Sequence, residues 1–245
     1  RVAVALLVRE VVALGSLTLG SRRAPHGRHG RAARPRTGYQ VAKRAFDLVT
    51  AGGLALVLLP AMAVVAIAVW RDSGRPVLFA QDRVGRNGER FQLWKFRTMA
   101  VDGDPAVFGQ HLDELRSPGP GDQVDLHIRD DPRITGAGRF LRRWSLDELP
   151  NLWNVVRGDM SLVGPRPLLA EEVAVIADEV GAEAAQRRAE VRPGITGLAQ
   201  VEGRDDISLA ARSELDLRYL AEGSMSVDLW ILLRTAVSIF KFRGI

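Results

Sequence analysis

The sequence predicts an α/β protein, mainly helical. A re-entrant, proline-broken helical hairpin holds it to a membrane. A small cytoplasmic domain follows, with a β-hairpin and amphipathic interfacial helices. Three observations predict this. Leu48 to Trp70 carries no charge over 23 residues and has Pro60 near its middle. Asn87-Gly88 separates two apolar runs. Several later segments repeat apolar residues at helical spacing.

Composition sets the limits. There are 245 residues with 47% hydrophobic content, enough for one domain with an appendage. The chain has no cysteine, which excludes disulfides, thiolate metal sites and thiol nucleophiles. None of its 4 histidines forms a metal-binding pair, so any metal must sit on carboxylates, as Mg²⁺ does. The whole chain stands at +5, and its first 44 residues carry +9, so the remainder stands at −4. The basicity is a tail, suited to an anionic surface. The mildly acidic body argues against nucleic-acid binding.

In chain order, Val2–Val8 and Val11–Gly20 form an apolar stub too short to span a bilayer. Ser21 to Gly38, rich in Arg, Gly and Pro, reads as a disordered linker. The stub and linker together occupy 1–42, the membrane segment 43–72 and the cytoplasmic domain 73–245. Leu48–Trp70 is long enough to cross a bilayer, but Pro60 removes a backbone hydrogen bond and kinks a helix. Both flanks are basic: Lys43 and Arg44 before, Arg71 and Arg75 after. A hairpin entering and leaving by the cytoplasmic face satisfies both features. Gly52-Gly53 would let its two arms pack closely. A kinked spanning helix and a buried core helix remain the alternatives.

Pro76–Gln81 and Phe91–Met99 read as strands, with Asn87-Gly88 as a type I′ turn. Ala100–Asp125 reads as a loop, and Asp131–Thr135 leads into a helix at Arg139. Leu149, Leu152, Trp153 and Val156 mark one helical face, with Pro150 in its first turn. Ser145 and Glu148 spell a capping box for that helix. Asp147 and Glu148 there are either capping acids or a catalytic pair. Arg166 is stiffened between Pro165 and Pro167. Glu171–Ala189 is helical in composition. Arg192–Gly197 is a Gly-Pro loop able to aim amides at an anion. Ile207–Glu222 and Ser226–Phe242 are two further helices, the last lying at an interface or in the core.

Taken in order, KRAFD at Lys43, the Pro-broken segment, QDRVGRNGERFQLWKFRTM from Gln81, DPRITGAGRFLRRWSLDELPNLWNVVRGDMSLVGPRP from Asp131 and RPGITGLAQV from Arg192 resemble the bacterial sugar transferases, the monotopic polyprenyl-phosphate phosphoglycosyl transferases. The resemblance runs from Lys43 to the C-terminus. It implies transfer of a phosphosugar from a nucleotide-diphosphate sugar to polyprenyl phosphate at the cytoplasmic face of the bacterial inner membrane. Asp147 would be the nucleophile, through a covalent aspartyl intermediate. Glu148, with Asp147 nearby, would bind Mg²⁺ or Mn²⁺. Arg142, Lys95, Arg166, Arg192 and Thr196 would hold phosphates or substrate, and Pro60 would be the membrane kink. The expected partners are the nucleotide-sugar donor, the polyprenyl phosphate acceptor and anionic membrane lipids, with self-association left open and no nucleic acid. Two departures stand out: Gly223 where the family commonly has an aromatic residue, and Leu59 where it often has Ser before the proline. The rival reading is a non-catalytic membrane scaffold, which has no need of this acid and arginine set.

Overall fold

A computed structural model describes residues 37–100, 110, 131–203 and 207–240. The apolar stub, almost all of the basic linker, most of the Ala100–Asp125 loop and the last residues of the final helix lie outside them.

Helix α1 (Thr37–Ser73) runs 37 residues with Pro60 inside it. It begins before the expected membrane segment and takes in Thr37 and Gly38 from the expected linker. One side of it is bare: Val49, Leu56, Val57 and Val64 are each at least 66% exposed. Its other side feeds two cores. Ala51 joins a large cluster with Leu152, Val155, Leu162, Leu220 and Ile231. Val65 and Val69 join a smaller one with Phe96 and Leu141.

Both ends of α1 are tied to the same body. At the start, Lys43 Nζ pairs with Asp228 at 2.9 Å. The Asp47 carboxylate accepts from Ser161 Oγ at 2.8 Å and from the Leu162 amide at 3.2 Å. At the end, Arg97 donates to the Ser73 and Gly74 carbonyls at 2.5 and 2.8 Å. The hairpin reading needs correcting in its packing. The helix is continuous across Pro60, and a Cβ built on Gly52 or Gly53 would meet nothing within 4 Å. Among the described residues no second arm packs there. Pro60 costs a helix a single donor, and a wider break would expose more backbone groups in hydrocarbon.

Strands β1 (Leu78–Val84) and β2 (Arg90–Phe96) pair antiparallel, from Leu78 opposite Phe96 to Val84 opposite Arg90. Asn87 (φ 58°) and Gly88 (φ 81°) both take the positive φ that the Asn-Gly pair anticipates. They sit inside a five-residue connection closed by the Gly85 amide on the Glu89 carbonyl at 2.7 Å. Helix α2 (Gly136–Arg143) starts at Thr135, whose hydroxyl accepts from the Gly138 amide. Helix α3 (Asn151–Arg157) follows a 3₁₀ turn at Leu146–Glu148. Its buried face is Asn151, Leu152, Asn154 and Val155, and Trp153 points outward at 58% exposure. The expected stripe was therefore off by about one residue.

Beyond α3, strand β3 (Ser161–Val163) pairs in parallel with β4 (Gly194–Thr196). The expected Gly-Pro anion loop is thus partly a strand. Its Gly194 amide already donates to the Pro165 carbonyl at 2.8 Å. The expected helix over Glu171–Ala189 is two, α4 (Ala170–Val180) and α5 (Ala182–Arg188), broken at Gly181 with φ 98°. Helices α6 (Leu198–Glu202), α7 (Leu209–Glu222) and α8 (Met225–Phe240) complete the described chain.

Candidate active site

The turn between α2 and α3 carries the site. Ser145 stands in the left-handed region at φ 53°, ψ 25°, with no side-chain cap bond. The expected capping box does not form, because that conformation directs the chain into a 3₁₀ turn instead of a helix start. A non-glycine residue held there costs about 1–3 kcal/mol, and such strain gathers at functional positions. The turn buries Asp147, at 8% exposure, and leaves Glu148 half-open beside it.

Two cations converge on this pair. Lys95, on β2, places Nζ 2.6 Å from Glu148 Oε1. Arg142, in the last turn of α2, is steadied by Nε donating to Thr98 Oγ1 at 2.9 Å. Burial pushes the Asp147 carboxyl above the usual carboxylate range, and Glu148 pushes it further, while Lys95 and Arg142 pull it back. Burial lowers the proton affinity of the Arg142 guanidinium, against the pull of Asp147 and Asp131. Asp147 is therefore a poorly hydrated carboxylate kept in reach of two cations, which is what an oxygen nucleophile aimed at a phosphate needs.

The backbone around Arg166 is held by its neighbours. Arg188 donates to the Arg166 carbonyl at 2.6 Å and is itself held by Asp216 at 2.7 Å. Arg83 donates to the Pro167 carbonyl and to Glu172, each at 3.2 Å. Two guanidiniums thus brace the backbone that the flanking prolines stiffen. The charges of Arg166 and Glu148 both act on the buried Arg83 guanidinium, in opposite directions.

Sequence reasoning missed Arg83, Arg188 and the Asp131–Arg133 pair (2.6 Å) beside Arg142. No sequence signal marks Arg83: its face of β1 also carries exposed Phe79 and half-buried Gln81, and it is buried only where it meets Pro167 and Glu172. Arg188 meets Asp216 and the Arg166 carbonyl only through tertiary folding, whereas Asp131 and Arg133 stand two residues apart.

Two expected site residues lie elsewhere. Arg192 donates through Nε to the Gly158 carbonyl at 2.8 Å, past the C-terminal end of α3. The acid pair is at the other end, about 10 Å away at the helical rise of ~1.5 Å per residue. Thr196 is buried and bonds Thr235 Oγ1 at 2.6 Å, a core contact with α8. Among the described residues no three His, Asp or Glu side chains cluster to hold a metal ion.

A family model for bacterial sugar transferases matches residues 38–242. The chain is 41% identical over 206 residues to the "UDP-galactose-lipid carrier transferase" of Erwinia amylovora, covering 82% of this chain and 41% of that protein. It is 42% identical over 203 residues to the "Undecaprenyl-phosphate glucose phosphotransferase" of Komagataeibacter xylinus, covering 79% and 35%. It is 37% identical over 208 residues to the "Exopolysaccharide production protein ExoY" of Rhizobium meliloti, covering 83% and 88%. The chain thus spans about two fifths or less of the first two relatives and most of the third. With the match running from the first turn of α1 to the end of α8, and with the acid pair and its cations inside it, the chain belongs to the bacterial sugar transferase family.

Proposed function

We propose that the chain is a polyprenyl-phosphate phosphoglycosyl transferase. It moves a phosphosugar from a UDP-sugar to undecaprenyl phosphate, the first membrane step of a surface polysaccharide or glycoconjugate. The observation that carries this is the buried Asp147 beside Glu148, faced by Lys95 and Arg142. The relatives' names support the lipid-phosphate acceptor and the sugar donor.

In the first step an Asp147 carboxylate oxygen attacks the phosphorus bearing the sugar. The bond from that phosphorus to the UMP oxygen breaks, and UMP leaves with the electron pair. In the second step an oxygen of the polyprenyl phosphate attacks the same phosphorus. The aspartyl–phosphate bond breaks, the Asp147 carboxylate returns, and polyprenyl-diphosphate-sugar departs. Lys95, Arg142 and Arg166 offset the charge that develops on the phosphate oxygens.

The donor set fits a hard cation shared with substrate. It offers carboxylate oxygens only, on two adjacent residues whose mutual repulsion raises the Asp147 proton affinity. Mg²⁺ commonly binds through one or two carboxylates plus substrate phosphates. Glu148, with Asp147 beside it, would hold it, and the ion would neutralise the diphosphate.

Membrane association follows from α1, which is long and apolar enough to cross a bilayer, with only 11% of its apolar window buried. The finer topology in this reading is re-entrant, with both ends of α1 on the cytoplasmic face of the inner membrane. Support comes from the two ends being tied to one body. A helix crossing the ~30 Å hydrocarbon core would carry one of those ties to the far side.

The test is Asp147→Asn in the purified full chain, supplied with undecaprenyl phosphate and UDP-sugars. Asn keeps the shape but is a poor nucleophile. UMP release should fall at least ~1000-fold, in line with loss of a covalent nucleophile. Retention of more than a few per cent of wild-type release would remove Asp147 from the role.

A further inference from the structure

At the end of α3 away from the acid pair lies a cleft open to solvent. Arg44, Arg86 and Arg192 line it. Each guanidinium is fixed by backbone carbonyls. Arg44 donates to Val155 O at 2.6 Å and to Val156 O at 3.0 Å. Arg86 donates to Glu190 O at 3.1 Å, and Arg192 to Gly158 O at 2.8 Å. Among the described residues none of the three forms an ion pair with a carboxylate. Carbonyls orient a guanidinium without neutralising it, and each retains N–H groups for another acceptor.

The acids nearby do not fill that role. Asp47 is engaged by Ser161 and Leu162, and Asp228 by Lys43 and two tyrosines. Glu190 stands exposed at the rim. Burial lowers the proton affinity of Arg192, and Arg44 and Arg86 lower it further, with Asp47 acting against them. Three oriented cations crowding one cleft make a receptor for an anion with several acceptor oxygens.

The position selects the anion's source. The cleft opens against the first turns of α1, at Tyr39, Gln40 and Lys43. Val41, Leu48 and Val49 on the same stretch are 66%, 40% and 76% exposed. A phosphate in the cleft would leave hydrocarbon chains beside these residues. Gly223 keeps the rim open, since a Cβ there would come within 2.9 Å of the Tyr219 carbonyl and 3.5 Å of the Tyr39 hydroxyl. The geometry points to a binding site for the headgroup phosphate of an anionic glycerophospholipid, held by Arg44, Arg86 and Arg192 and distinct from the centre at Asp147.

The full chain in neutral detergent micelles is titrated calorimetrically with dihexanoylphosphatidylglycerol, dihexanoylphosphatidylcholine and inorganic phosphate. The anionic lipid should bind about tenfold or more tightly than the zwitterionic one, and Arg86→Gln should weaken it by about tenfold. Arg86→Lys should recover part of that loss. Arg90→Gln removes an exposed arginine outside the cleft lining and should change nothing. Equal affinity for the two lipids, or an Arg86→Gln protein that binds like wild type, overturns the site. Inorganic phosphate binding as tightly as the anionic lipid would make the occupant a soluble anion and overturn the lipid assignment.

Discussion

Asn154 offers the sharpest test of how the site is held. It is fully buried on α3. Its side-chain oxygen accepts from the Trp94 amide at 3.2 Å, and its Nδ2 donates to the Gln92 carbonyl at 2.7 Å and to Asp159 at 3.1 Å. Gln92 and Trp94 flank the free edge of β2, so one side-chain amide pairs with that edge as a neighbouring strand would. Lys95 follows directly on the strand, and Asp147 precedes α3. Asn154→Ala deletes three hydrogen bonds at about 1 kcal/mol each, or about 3 kcal/mol in all. For a domain of this size that lowers the unfolding midpoint by about 6–12 °C. Asn154→Asp keeps the volume and the bond from Trp94, but turns the donor into an acceptor facing a carbonyl and Asp159. It should cost at least as much at neutral pH and recover as acid protonates the new carboxyl. The measurement is thermal unfolding in detergent by circular dichroism. An Asn154→Ala midpoint within about 2 °C of wild type would refute the bracing role, as would an Asn154→Asp protein insensitive to pH.

Other expectations follow from the same residues. As the proposed nucleophile, Asp147 must be ionised to attack, and burial raises its proton affinity, so activity should fall with acid at a pH above that of an ordinary aspartate. Lys95 is the largest influence holding that value down, so Lys95→Met should move the acid limb to higher pH; an unmoved limb counts against the pairing. The raised affinity also means that folded wild type loses stability as pH rises through it, so Asp147→Asn should unfold at a higher temperature than wild type at neutral pH. Chelation with EDTA should stop UMP release, and Mg²⁺ or Mn²⁺ should restore it; undiminished turnover in EDTA removes Glu148 from metal binding. In this cysteine-free chain, Ala42→Cys and Arg75→Cys should both react with an impermeant thiol reagent from the cytoplasmic side only. Labelling of either from outside establishes a full span.

Local chemistry was legible, and tertiary partnership was not. Asn87-Gly88 turned the hairpin because few residue pairs accept two positive φ values. Thr135 was in place to start α2, and Asp147, Glu148, Lys95 and Arg142 came together as their motifs implied. Ser145 misled because its spacing to Glu148 suits a cap, while its backbone had gone left-handed. Gly181 split a helix that composition alone carried through. Arg192 and Thr196 share the RPGITG run, but pairing with β3 turns Thr196 into the core and leaves Arg192 at the far end of α3. No spacing rule reports which end of a short helix a later loop will meet.

The two-ended attachment of α1 has a mechanical consequence. A domain hung from one end of a membrane helix swings about that joint and presents its surface to the lipid at many tilts. A bar clamped at both ends removes that freedom, since rolling or pitching the body would drag one end of the apolar helix out of hydrocarbon. Exposed apolar surface lost to water costs about 25 cal/mol per Å², so even a modest tilt is opposed. In the proposed re-entrant topology, the height and attitude of Asp147 above the bilayer would be set by the fold and not by a search. On the proposed function, an acceptor diffusing in two dimensions with its phosphate at one fixed depth would meet the carboxylate already levelled to that plane.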